Sequence, residues 1–191
     1  MESMTIPLFP LNTVVFPGGV LKLKIFEQRY LDMTKRCIAD QTGFGVVSSA
    51  AQGEVAQVGT LVTITEWDMP HTGIFALTTK GATRFLTRER TVAKDGLNIG
   101  VITHVPDESD VTLPSEFAHL AALIEGIVSR YGEDIFPLPL RLDSASWVSA
   151  RLTEVMPMTL KLKQQLLEIN EPELRLKAVA QFLNTQGIVS R

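Results

Sequence analysis

Apolar and polar residues alternate with a period of two through the first half of the chain. The period lengthens to three or four in the second half. Leu21, Leu23 and Ile25 stand against Lys22 and Lys24, which predicts a strand over residues 20–26. Residues 58–67 alternate in the same way, with Leu61, Thr63 and Thr65 opposite Val62, Ile64 and Glu66. Shorter extended pieces are predicted at 5–9 and 44–48. The turn chemistry of Pro70-His71-Thr72-Gly73 predicts that residues 74–79 return as a hairpin partner. A further pair is predicted at 83–92 and 97–105, joined through Lys94-Asp95-Gly96, where Asp-Gly suits a tight turn. Between these strands, Tyr30, Met33 or Thr34, and Cys37 or Ile38 recur at helical spacing, so residues 27–39 are predicted as a helix.

Past an acidic linker at 106–114, the helical period takes over. Phe117, Leu120, Ile124, Ile127, Val128 and Tyr131 form one apolar face of a helix over 114–131. Phe136-Pro137-Leu138-Pro139-Leu140 interrupts the pattern. Ser144 is placed to cap a helix to Met156, Thr159 one to Ile169, and Glu171-Pro172-Glu173 opens a last helix that Gly187 closes. Strands followed by helices indicate an α+β chain, read as a β-rich part over 1–110 and a helical part over 111–191.

Composition narrows the classes. The 191 residues are 45% hydrophobic and 20% charged, with a formal net charge of −3. That is a globular composition without the global basic field that draws a protein to nucleic acid. A single cysteine, Cys37, excludes an internal disulfide. Residues 3–21 carry no charge and approach the length of a membrane span. Pro7, Pro10, Pro17 and Gly18-Gly19 oppose the helix a span requires, and Met1-Glu2-Ser3 lacks the positive start of a secretory signal, so neither is expected. The expected location is the cytoplasm.

The opening run, Pro7-Leu8-Phe9-Pro10-Leu11 and Val14-Val15-Phe16-Pro17-Gly18, is too apolar to lie in water and too rich in proline to be a helix. With Val58-Gly59-Thr60, Lys80-Gly81-Ala82-Thr83-Arg84-Phe85, the helix from Trp147, Lys163-Gln164-Gln165-Leu166-Leu167 and Glu173-Leu174-Arg175-Leu176, all in order, the chain resembles the N-terminal substrate-recognition domain of the ATP-dependent protease Lon. It is most similar to the form of that domain that stands alone in bacteria. The resemblance covers essentially the whole chain. It implies a PUA-like, mainly antiparallel β-pseudobarrel followed by a helical bundle, and a non-catalytic module that binds unfolded or extended polypeptide. A protease or chaperone is a further implied partner. These 191 residues contain no Gly-x-x-x-x-Gly-Lys-[Ser/Thr] phosphate loop and are too few for the family's ATPase and peptidase modules, so neither activity is expected of them.

Candidate chemistry is sparse. His71, His104 and His119 have no shared ligand spacing, so no metal or cofactor is expected. Glu133-Asp134 is an adjacent acid pair with no nucleophile beside it, no serine lies in Gly-x-Ser-x-Gly, and Cys37 falls on an apolar helix face, so no catalytic residue is assigned. Two binding surfaces remain. Trp67, Met69, Phe136 and Leu138 put large apolar side chains into turn regions, where they either meet extended polypeptide or, for Phe136 and Leu138, plug the seam between sheet and helices. Simple alternation puts Arg84, Arg88 and Arg90 on one strand face, an alternative site for RNA or an acidic ligand, although no aromatic residues interleave to stack bases. A small-molecule or hydrolytic cleft between the halves is the third reading.

Overall fold

The computed structural model describes residues 3–49 and 54–188, and the chain divides into units 1–106 and 107–191. Met1, Glu2 and the side chain of Glu133, on which parts of the sequence reading rest, lie outside the described residues. The first unit runs β1 (Ser3–Leu11), β2 (Val20–Ile25), α1 (Gln28–Asp40), β3 (Phe44–Ser49), β4 (Val55–His71), β5 (Ile74–Val92) and β6 (Asn98–His104). The sheet order is β2-β5-β4-β3-β1-β6, and β5 pairs again with β6. Five strands therefore close on themselves, and β2 hangs on the outside of β5. Among the described residues only β1 and β3 pair in parallel, and the helix that a parallel connection needs is α1.

The closed circuit is filled by Ile6, Leu8, Val47, Phe85 and Ile102. Glycine makes that filling possible. A Cβ on Gly59 would stand 2.7 Å from the Phe85 ring, and one on Gly100 2.8 Å from Leu8. Outside, the buried side of α1 presents Tyr30, Leu31, Met33 and Cys37 to a second cluster that includes Phe9, Phe44, Phe75 and Leu77.

The opening run forms the end of β1 and then crosses the sheet. Val14, Val15 and Phe16 are buried along the crossing. The Thr60 hydroxyl donates to the Val15 carbonyl at 2.6 Å. The Gly18 amide donates to the Gly81 carbonyl, and the Gly81 amide to the Gly19 carbonyl, both at 2.8 Å. This corrects one expectation. Residues 74–79 and 83–92 are not two strands separated at Gly81 but one 19-residue strand, β5. The glycine is there because a Cβ would sit 2.2 Å from the Phe16 carbonyl oxygen, so it admits a crossing chain and does not make a turn. The true turns are Gly73 and Gly96, both at positive φ.

The second unit holds α2 (Ala118–Tyr131), preceded by a 3-10 turn at Ser115–Phe117, then α3 (Ala145–Val155), α4 (Leu160–Glu168) and α5 (Pro172–Thr185). Ser144 caps α3 by accepting from the Trp147 amide, and Thr159 caps α4 by accepting from the Leu162 amide. Helices α3 and α5 pack together, burying Val148, Leu152, Leu176, Val179 and Leu183. The apolar face of α2 is shorter than its sequence indicates: Phe117, Leu120 and Ile124 are buried, but Tyr131 is exposed. Residues 107–110, grouped by sequence with the β-rich part, bond into the helical unit. Arg141 Nη2 meets the Asp110 carboxylate at 3.1 Å, and Arg175 grips Glu108.

Candidate functional site

Beyond Val62, β4 pairs with no strand except β5 among the described residues, because its pairing with β3 ends at Phe44↔Val62. The ends of β4 and β5 therefore leave the closed circuit as a hairpin, and β2 joins that hairpin on its β5 side. The result is a three-stranded sheet whose outer strands each have an edge without a partner strand among the described residues.

Register sorts its side chains onto two faces, because directly paired residues point the same way. On one face lie the rows Lys22–Thr78–Glu66 and Lys24–Ala76–Asp68. Small central residues leave a trough of about 550 Å3, with two lysines along one wall and two carboxylates along the other. Two strand spacings, roughly 10 Å, separate these walls, and no ion pair joins them. On the opposite face the row is Leu23–Leu77–Trp67. Trp67 sets its ring edge-on to buried Phe75, centroids 5.9 Å apart, yet remains 54% exposed. Met69, two residues on, is 44% exposed.

The other two apolar candidates belong to the second unit, and they separate. Phe136 is 4% exposed and lies 6.1 Å from the Trp147 ring, whereas Leu138 is 61% exposed.

The three arginines do not form the expected face. Arg84 is buried. Arg88 is exposed, and its Nε donates to the Thr103 hydroxyl at 3.1 Å. A register shift between Thr87 and Glu89 inserts one extra residue in β5. Leu86 pairs with Thr103 and Glu89 with Val101, so Glu89 takes the face of Arg84 and Arg90 is turned to the other side. There Arg90 borders a cleft of about 580 Å3 that Tyr30, Phe26 and Asn98 also line.

The remaining candidates are dispersed. His71 is exposed in β4, His104 Nδ1 is 3.0 Å from the Thr83 hydroxyl, and His119 Nδ1 is 3.0 Å from the Glu116 carbonyl. Among the described residues no three His, Cys, Asp or Glu side chains are gathered as metal ligands. Cys37 is buried with its Sγ 3.6 Å from the Gly43 carbonyl, and burial pushes its thiol pKa up. Among the described residues no helix is long and apolar enough to cross a membrane.

Sequence reasoning saw Lys22 and Lys24 as a polar strand face and did not connect them with Glu66 and Asp68. Their alternation is visible along the chain; that they flank one trough follows only from strand register.

The family model described as the ATP-dependent protease La (LON) substrate-binding domain matches residues 5–185. A Lon protease of Anaeromyxobacter dehalogenans is 24% identical over 94% of the chain, which spans 23% of that protein's length. The crystal structure of a Lon N-terminal domain protein from Xanthomonas campestris superposes with a TM-score of 0.79 at 31% identity, covering 93% of this chain and 98% of that one. The N-terminal domain of a Mycobacterium avium complex Lon protease shares the fold, with a TM-score of 0.67 at 17% identity over 95% of this chain and 98% of its own.

Proposed function

We propose that this chain, which belongs to the ATP-dependent protease La (LON) substrate-binding domain family, is a non-catalytic module that binds extended polypeptide through the three-stranded sheet of β2, β5 and β4. The reading rests on one observation above the others: Trp67 is more than half exposed on the part of β4 past its pairing with β3, where the outer edge has no partner strand among the described residues. Exposed aromatic surface beside unpaired backbone suits a polypeptide that offers both side chains and amides. The family's description as a substrate-binding domain of a protease agrees with it. We place the module in the cytoplasm, delivering segments to a protease or chaperone.

The test is a fluorescence titration with a permanently unfolded, labelled polypeptide. Binding is expected for the native chain, weakened by about tenfold in Trp67→Ala, the scale of losing one interfacial aromatic anchor. Absence of binding at high micromolar concentration, with the fold intact by circular dichroism, would sink the reading.

A further inference from the structure

We infer that the outer edge of β2 takes up the polypeptide as an added strand and selects segments in which acidic and apolar residues alternate. The inference rests on the polypeptide-binding reading and gives it a location and a ligand chemistry.

The two exposed edges of the sheet are not equivalent. Strand β4 is broken against β5 by register shifts between Ile64 and Glu66 and between Asp68 and His71. Bulges of this kind bend an edge and blunt it against pairing, so β4 offers a long unfolded polypeptide its exposed Trp67 ring, and strand pairing falls to β2. Strand β2 holds an unbroken register with β5 from Val20↔Lys80 to Ile25↔Phe75. Its outer side is therefore a regular template of six residues, near the usual length of a strand.

The side chains of β2 then specify the guest. Lys22 and Lys24 are exposed on the trough face, while Leu21 and Leu23 are half-buried on the other. A strand laid beside β2 would bring its directly opposite side chains to about 5 Å between Cβ atoms. Acidic residues two apart would meet Lys22 and Lys24, and the residues flanking them would meet Leu21 and Leu23. Edge lysines ordinarily deter pairing. Neither lysine's ammonium group has a hydrogen bond or ion pair among the described residues, so an acidic guest supplies a counter-charge that a neutral or basic guest does not. Discrimination arises from that difference. The sheet already contains the pattern on its far side: Glu66, Trp67 and Asp68 in β4 put carboxylates on the trough face and an aromatic ring on the other.

The inference is tested by fluorescence polarisation with the full chain and a labelled peptide of about eight residues in which Glu and Leu alternate. The expected result is saturable binding that weakens as salt rises. Alternate N-methylation on the peptide edge that faces β2 should weaken it by about tenfold or more, because those amides lose their role as donors. Lys22→Glu/Lys24→Glu should transfer the preference to a peptide of alternating Lys and Leu. If the charge-reversed variant and the N-methylated peptide both bind as the parents do, while unfolded polypeptide is still held, the edge is wrong and the polypeptide reading survives. If neither the peptide nor unfolded polypeptide binds, the polypeptide reading fails first. Concentration-dependent self-association that the double variant abolishes and the peptide does not compete with would assign the edge to a second copy and overturn the inference.

Discussion

Arg175 on α5 holds the Glu108 carboxylate, 67 residues earlier, through two bonds of 2.6 Å from Nη1 and Nη2. Its Nε donates to the Ser149 hydroxyl on α3 at 2.9 Å, and Nη1 also reaches the Ile169 carbonyl. The Ser146 hydroxyl donates to the same carboxylate. Both charges are out of water, with 1% and 9% of their side chains exposed. One guanidinium thus ties the segment entering the helical unit to the helix pair at its centre.

A buried pair of this kind is costly to break from one side. Glu108→Gln leaves the arginine without its counter-charge and is expected to destabilise the chain by about 3–5 kcal/mol. Arg175→Met should cost a similar amount, and Glu108→Leu/Arg175→Met together should cost less than either alone. Urea unfolding followed by circular dichroism measures all three. A loss under about 1 kcal/mol in the single variants would mean that the pair contributes no more than a surface bridge.

Gly81 predicts a contrast between two glycine substitutions. Gly81→Ala drives a methyl group to 2.2 Å from the Phe16 carbonyl, so either β5 or the crossing segment must move. The expected cost is about 1–3 kcal/mol. Gly126 lies in α2 with nothing near its missing Cβ. Gly126→Ala should stabilise the chain by about 0.5–1 kcal/mol. Equal effects at the two sites in thermal unfolding would contradict the close approach.

Thr60 links the strand to the crossing by its hydroxyl alone. Thr60→Val keeps the shape and strands the Val15 carbonyl, for a loss of about 1–3 kcal/mol. Thr65, whose hydroxyl donates to the Thr78 carbonyl at an exposed position, is the control, and Thr65→Val should change stability far less.

Cys37 carries a pH dependence. Burial raises its thiol pKa in the folded chain. An unfolded thiol is half ionised at about pH 8.5, where the native one holds more of its proton. The unfolded state then binds fewer protons, so this part of the stability is whole below that pH and is lost as pH rises through the native pKa. Tyr30, raised mainly by burial as well, adds the same sign at higher pH. Stability measured from neutral to alkaline pH should decline, and Cys37→Ala should remove the earlier part of the decline. Iodoacetamide should label native Cys37 more slowly than the urea-unfolded chain at the same pH.

Much of the architecture was legible in the order of residues because the signals are local. Alternation marks β2, Asp95-Gly96 marks a turn, and Ser144 and Thr159 cap the helices the periodicity placed. The opening run, with its ordered companions, pointed to the family whose model spans 5–185. Its companions in the sequence, Gly59, Thr60 and Gly81, also lie where Phe85 and the crossing chain need room or a donor.

What tertiary structure alone decided has one physical origin: side-chain direction and distant partnership are not properties of a segment. One extra residue between Thr87 and Glu89 turned Arg90 away from Arg84, though the even spacing of the two along the chain puts them on one face of a regular strand. Phe136 and Leu138 look equivalent two positions apart, and burial separates them. Lys22 and Glu66 become opposite walls of one trough only through their common neighbour Thr78. Glu108 reads as one more acid of a linker until Arg175, 67 residues on, removes it from water. The sequence by itself determined the family and most of the elements; the unbroken run of β5, the register of strands and the burial of charge, set by contacts between distant residues, decided which surfaces those elements present.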